Sequence, residues 1–186
     1  MTGWRVYSRV AATACAAIAL AGCSGIERPT LPPPAEPRTF ELGWVERNES
    51  AGFTFRVETL TVDEDGWRAK IEVTNGSDSP YRLGRRSVGL VLLDTMRRGE
   101  VLRLTDDLTR PPPALRPDRE TPEAPAVLGP GASWAARIAG SEVLRAGSVV
   151  RFSFGPYSRL GARDITRSAT VLWVTEHAVR LQAEGA

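Results

Sequence analysis

The chain has 186 residues, with 24 lysines and arginines against 22 aspartates and glutamates, so its formal net charge is only +2. This balance argues against a dedicated nucleic-acid-binding protein, which needs a strong basic excess to neutralise phosphates. One histidine and two cysteines provide few ligands for a zinc or transition-metal site, and we expect no metal and no other cofactor.

The first 22 residues have the parts of a secretory signal. Residues 1–9 carry Arg5 and Arg9 but no acidic residue, and residues 10–20 are small and apolar apart from Thr13. As a helix this apolar stretch reaches about 17 Å, well short of the ~30 Å hydrocarbon thickness of a bilayer. The pattern therefore predicts a signal peptide and not a transmembrane span.

The signal ends in Leu20-Ala21-Gly22-Cys23, which resembles the lipobox of bacterial lipoproteins. The resemblance implies cleavage before Cys23, a diacylglyceryl thioether on its sulfur and often an N-acyl chain. It also implies attachment to the cell membrane or the outer membrane, on the extracytoplasmic face. Two or three acyl chains make a stable anchor, whereas one gives marginal binding. The alternative is a chance cysteine after an ordinary cleavage site.

Cleavage before Cys23 would change the composition of the mature chain. It would remove 2 of the 24 basic residues and no acidic residue, which leaves 22 of each. Cys15 would leave with the signal, and the one remaining cysteine would be acylated. A disulfide is then impossible, although the compartment would allow one. Stability must come from the core.

Residues 23–38 carry five prolines and little to bury, which predicts an extended tether of up to ~45 Å at ~3.1 Å per residue. Residues 39–186 are long enough for one globular domain with its own core. Residues 110–125 carry six further prolines. Because proline is excluded from sheet interiors, we expect a long surface loop there, crossing between sheets.

Alternation of apolar and polar residues predicts strands throughout the domain. Residues 53–62 and 67–74 form the clearest pair, joined by a hairpin turn at 63–66. The nearly continuous apolar run 87–95 predicts a central strand covered on both faces. Further strands are predicted at residues 40–45, 101–104 (after a turn at 97–99), 133–139, 148–155 and 168–181.

Three stretches resemble immunoglobulin-like bacterial extracytoplasmic domains and the related intracellular proteinase-inhibitor fold. They are residues 71–80, residues 92–94 with the following glycine hairpin, and residues 127–133. The resemblance and the strand pattern together predict an all-β fold, an antiparallel immunoglobulin-like β-sandwich of seven or eight strands. The resemblance carries over no functional residue, and the proline-rich insertion departs from its pattern.

Few side chains suggest catalysis. In a continuous strand 168–181, His177 would share a face with the apolar residues Val171 and Trp173, which favours a hydrogen-bonded residue at the core rim over a general base. Residues 84–89 have one residue too many for a Gly-x-Ser-x-Gly nucleophile elbow. The acidic run 63–66 lacks the spacing of a calcium loop and favours a solvated turn. We therefore expect no enzyme.

Aromatic and arginine residues give weaker indications. Trp67, Trp134 and Trp173 lie in strand patterns and are predicted core residues, whereas Trp44 and Tyr157 are candidates for exposed contacts, although packing is their commoner role. Five arginines near the central strand are predicted to form two clusters, too far apart to act as one anion-binding surface. They are Arg82, Arg85, Arg86, Arg97 and Arg98.

These observations predict a lipid-anchored, extracytoplasmic binding or envelope-assembly module. Its expected partners are membrane lipid, through Cys23, and an envelope protein, and nucleic acid is not expected. The alternative is a carrier that holds a small apolar molecule in a tunnel lined by Phe53, Phe152 and Phe154.

Overall fold

The computed structural model describes residues 31–93, 114–161 and 170–183. Within these ranges the chain has eleven strands and no helix. The strands form two antiparallel sheets that pack together over a shared core, which confirms the predicted β-sandwich. They are β1 (Arg38–Asn48), β2 (Phe53–Asp63), β3 (Gly66–Asn75), β4 (Tyr81–Arg82), β5 (Val88–Leu92), β6 (Arg119–Thr121), β7 (Val127–Leu128), β8 (Ser133–Gly140), β9 (Val149–Arg159), β10 (Thr170–Val174) and β11 (Val179–Arg180).

The first sheet has the order β1-β2-β3-β8-β6. The predicted hairpin joins β2 to β3, and Asp63 pairs with Gly66 at its turn. Side chains in β3 alternate as predicted, because Arg68 and Lys70 face solvent while their neighbours face the second sheet. The buried apolar side chains of β3 are Trp67, Ala69, Ile71 and Val73.

The second sheet is built around β9. Strands β10 and β11 pair with one edge of β9, β5 and β4 pair with the other, and β7 extends the sheet beyond β4. The first four residues of β5 are all buried, so the strand is covered on both faces as predicted. It is not a central strand, because β9 is its one partner among the described strands. The strand is shorter than the predicted range 87–95.

Aromatic rings fill much of the space between the two sheets. The Phe55 ring stacks on Phe154 with 4.7 Å between centroids, and Phe53 stacks on Tyr157 at 5.7 Å. Such pairs add to the free energy gained by burying the rings themselves. With no disulfide in the described core, this packing and the backbone ladders hold the sandwich together.

Three predictions about the strands need correction. The range 168–181 is not one strand, because β10 ends at Val174 and β11 begins at Val179. Part of the predicted loop 110–125 forms β6, which lies at a sheet edge and uses a segment free of proline. The short strands raise the number of strands above the predicted seven or eight. The predicted strand 101–104 and turn 97–99 lie outside the described residues.

The end of the predicted tether lies against the sandwich. Pro34 forms a β-bridge with Arg145, and the Ala35 amide donates a 2.8 Å hydrogen bond to the carbonyl of Leu144. The side chain of Ala35 is buried in the core. Proline lacks an N–H donor, but its extended backbone still allows docking along an edge. Residues 34–36, which belong to the predicted tether, therefore contact the sandwich.

Candidate functional site

One organised polar cluster among the described residues is centred on the carboxylate of Glu46. Glu46 lies in β1, directly opposite Phe55 of β2. Because Phe55 faces the core, Glu46 also points inward between the sheets, and it is buried.

Four donors from β10 and the segment that follows it hold this carboxylate. Its Oε2 accepts hydrogen bonds from Trp173 Nε1 at 2.7 Å and from the Glu176 amide at 3.0 Å. Its Oε1 accepts one from the His177 amide at 3.1 Å and lies 2.8 Å from His177 Nδ1. A buried carboxylate is tolerated only when it is paired in this way. Glu46 therefore joins the β1 edge of one sheet to the β10–β11 edge of the other.

The electrostatics of the cluster favour the charged carboxylate. Burial alone raises the pKa of Glu46, but the hydrogen bonds from the side chain and amide of His177, the Trp173 indole and the Glu176 amide outweigh burial. The result is a pKa below the ordinary value of a glutamate. Glu46 is thus ionised at neutral pH and serves as a hydrogen-bond acceptor for the segment after β10.

His177 does not lie in a strand, contrary to the prediction. It lies in the break between β10 and β11, and 57% of its side chain is exposed. Thr175 causes the break, because its Oγ1 accepts a hydrogen bond from the Phe152 amide at 3.0 Å and donates to the His177 carbonyl at 2.9 Å. His177 is hydrogen-bonded as predicted, and its partner is Glu46.

The imidazole of His177 packs on an aromatic neighbour. Its ring stacks on the indole of Trp44, with centroids 5.5 Å apart and an interplanar angle of 23°. Trp44 also makes a T-shaped contact with Phe152, with centroids 6.3 Å apart. Trp44 is half-buried, so it is only partly the exposed contact residue considered from the sequence. The geometry fixes the imidazole on two sides and leaves part of it facing solvent.

Glu46 was missed by sequence reasoning although a signal was present. In β1 the residues Phe40, Leu42, Trp44 and Glu46 occupy alternate positions and all turn toward the core. The predicted strand 40–45 stopped one residue before the glutamate. Continuing the alternation by one step would have placed a carboxylate at an inward position, where it needs a partner.

A second polar cluster surrounds the hydroxyl of Tyr157. This residue is fully buried, so it is not an exposed contact residue. Burial raises its pKa, while the nearby Ser87 hydroxyl and the Arg116 guanidinium lower it and the Glu120 carboxylate raises it further. The Ser87 hydroxyl is close to the Tyr157 hydroxyl, but among the described residues neither group makes a hydrogen bond of good geometry. Burial also lowers the pKa of Arg116.

The remaining candidates have simpler roles. The Asp63 carboxylate caps the hairpin turn by accepting from the Asp65 amide at 3.1 Å, and it pairs with Arg68. In the described ranges no three histidine, cysteine, aspartate or glutamate side chains are grouped closely enough to hold a metal ion. Arg85 is exposed and lies 3.5 Å from Glu123. The second predicted arginine cluster, at 97–98, lies outside the described residues.

The aromatic residues confirm most core predictions. Trp67 and Trp134 are buried, and Trp173 packs against the core. Phe53, Phe152 and Phe154, which the carrier hypothesis assigned to a tunnel, are buried and in contact with other rings.

Cys23 and the lipobox lie outside the described residues. Among residues 31–93, 114–161 and 170–183 there is no helix with the length and hydropathy of a membrane span. No protein-family model, no curated protein and no solved structure matches the chain.

Proposed function

We propose that this chain is a lipid-anchored, extracytoplasmic binding or envelope-assembly module, without catalytic activity. The observation that carries the proposal is the sequence Leu20-Ala21-Gly22-Cys23, directly after a short apolar run. Acylation of Cys23 would hold the sandwich at the cell membrane or the outer membrane. The immunoglobulin-like character of the sandwich belongs to the same proposal.

The hydrogen bonds of Glu46 and His177 support a role without catalysis. The carboxylate accepts four hydrogen bonds and joins two strand edges, and the imidazole Nδ1 is bound to that carboxylate. The nearby Thr175 hydroxyl is bound to backbone groups on both sides. Each of these groups makes hydrogen bonds that hold parts of the fold together. Buried polar networks whose members are all hydrogen-bonded serve stability more often than catalysis.

We assign partner recognition to the outer edge of β1. This strand has eleven residues and lies at the end of its sheet, where β2 is its partner among the described strands. Val45 is exposed on the outer face of this strand. An edge strand of this length offers backbone groups to an extended segment of an envelope protein, which would add to the sheet. The carrier alternative has no comparable observation in its favour.

The anchor is tested by detergent phase partition of the full chain expressed in a bacterium. The wild type should enter the detergent-rich phase, and Cys23→Ala should stay in the aqueous phase, because no other thiol would remain in the mature chain. Cys15→Ala is the matched control and should partition like the wild type. If wild type and Cys23→Ala both remain aqueous, the proposal is wrong.

Recognition is tested by a photo-crosslinking residue at Val45, with Val127 as the control because it is an equally exposed valine. A discrete protein adduct from position 45 alone is expected. Equal adducts from both positions would contradict recognition by the β1 edge.

A further inference from the structure

The N-terminal part of the described chain docks at one end of the sandwich, which we call the tether end. It consists of residues 31–36, 141–147 and 180–182. Besides the Ala35 bond, the Ala146 amide donates to the Pro33 carbonyl at 2.9 Å, and Arg145 Nη1 donates to the Pro32 carbonyl at 3.1 Å. The Glu36 amide donates to the Gln182 carbonyl at 3.1 Å. The chain is thus fixed to the domain from Pro32 onward.

This docking shortens the span between the proposed lipid and the domain. Only eight residue steps separate Cys23 from Leu31, and a fully extended chain covers at most ~3.6 Å per step, or about 29 Å in total. The sequence-based length of the tether was ~45 Å. The tether end therefore lies within about 29 Å of the proposed acylated cysteine.

Exposed apolar side chains lie at the same end. The large apolar residues that are exposed in the described chain include Leu31, at 75%, and Val143, at 39%. Leu31 precedes the proline whose carbonyl binds Arg145, and Val143 lies two residues before that arginine. Apolar side chains beside an arginine suit the boundary between headgroups and acyl chains.

The charges at this end have both signs. Arg145 and Arg180 each donate to a backbone carbonyl, while Glu142 and the acidic turn at 63–66 lie close to Gly140 and Ser141 in the sandwich. Attraction to anionic lipid is therefore not the expected cause of binding. The expected causes of binding are the short span from Cys23 and the exposed apolar side chains.

We propose that the tether end is the membrane-facing surface of the domain, with Leu31 and Val143 in contact with lipid headgroups. The proposal rests on the proposed anchor at Cys23. It places the opposite end away from the membrane. Val127 marks that end, because β7 pairs with β4, which pairs with the last residues of β9. The ten steps along β9, from Val149 to Arg159, cover about 33 Å at ~3.3 Å per residue.

The test uses single cysteine variants of the full, acylated chain. Val143→Cys and Val127→Cys change the same residue type at 39% and 44% exposure, so neither should disturb the core. In the mature chain each new cysteine would be the one free thiol, and it is labelled with a fluorophore. The protein is reconstituted in phosphatidylcholine vesicles that contain phosphatidylcholine with a nitroxide in its headgroup.

The label at position 143 should lose most of its fluorescence when the nitroxide lipid is present. The label at position 127 should keep its fluorescence under the same conditions. Equal quenching at both positions, or stronger quenching at 127, in protein that sediments with the vesicles would overturn the proposed orientation and leave the anchor intact. Protein that does not sediment with the vesicles would instead overturn the anchor itself, and the orientation with it.

Discussion

Glu46 contributes to stability through a buried carboxylate that receives four hydrogen bonds. In Glu46→Gln an amide NH₂ replaces one oxygen, and it would face two donors that then have no acceptor. We expect this change to lower the free energy of unfolding by about 1–3 kcal/mol, measured by denaturant titration. Glu41→Gln is the matched control in the same strand, because Glu41 is exposed, and it should change stability by less than about 0.5 kcal/mol.

The effect of Glu46 should depend on pH. Its pKa is below the ordinary value of 4.5 in the folded chain, so its contribution is complete above that ordinary value and is lost as the pH falls through the lower folded pKa. The difference between wild type and Glu46→Gln should therefore be largest at neutral pH and shrink in acid. A difference that grows in acid would show that the ionised carboxylate is not the stabilising form.

Unlike the change at Glu46, removal of the Tyr157 hydroxyl should not lower the free energy of unfolding. Its hydroxyl is buried and makes no hydrogen bond of good geometry among the described residues, so little offsets the removal of this polar group from water in the folded state. We expect Tyr157→Phe to leave the free energy of unfolding unchanged or to raise it by up to about 1 kcal/mol. A lower free energy of unfolding for Tyr157→Phe than for the wild type, in the same titration, would mean that an ordered water or another group binds the hydroxyl.

The sequence predicted buried residues better than it predicted polar partners. Trp67 and Trp134 were identified as core residues because they lie at inward positions of regular strands. The partners of Glu46 could not be predicted, because Glu46 and His177 are 131 residues apart in the chain and no local pattern reports such a contact. Tyr157 shows the same limit, since its burial depends on Phe53 from the other sheet.

Among the elements, the β2–β3 hairpin depends on Gly66. Its φ is +132°, and a β-carbon at this position would overlap the carbonyl oxygen of Gly140 in β8. Gly43 is a useful comparison, because it has a φ of +58° at the bulge in β1 but open space around it.

We expect Gly43→Ala to cost about 1–2 kcal/mol through backbone conformation alone. Gly66→Ala should cost about 1–3 kcal/mol more, because the overlap forces β3 and β8 apart. Thermal unfolding of the two variants gives the comparison. Equal melting temperatures would show that the close approach of Gly66 to Gly140 does not constrain the hairpin.

Long strands were predictable and short ones were not. The regular alternation of β2 and β3 identifies them without any tertiary information. Strands β4 and β7 have two residues each, too few for a period to be seen, and they exist because β9 and its neighbours provide hydrogen-bond partners. The break at Thr175 was hidden, because the residues around it keep an apolar pattern that a continuous strand would also show.

On the scale of the whole molecule, the docking of residues 32–36 should be measurable as stability. A chain of residues 39–186 loses the hydrogen bonds of Ala35, Glu36 and Pro33 and the burial of Ala35, whereas a chain of residues 31–186 keeps them. We expect the shorter chain to fold with a free energy of unfolding lower by about 1–3 kcal/mol. Identical denaturation midpoints would mean that this segment does not stabilise the domain.

The covalent state of Cys23 bears most directly on the proposed function, because the proposed anchor, compartment and orientation of the domain all depend on it. Intact-mass spectrometry of the protein purified from bacterial membranes measures that state. The mature chain should begin at Cys23 and exceed the mass of the polypeptide 23–186 by a diacylglyceryl group, with or without an N-acyl chain. A chain that begins elsewhere, or that carries Cys23 as an unmodified thiol, would contradict the proposed lipid anchor.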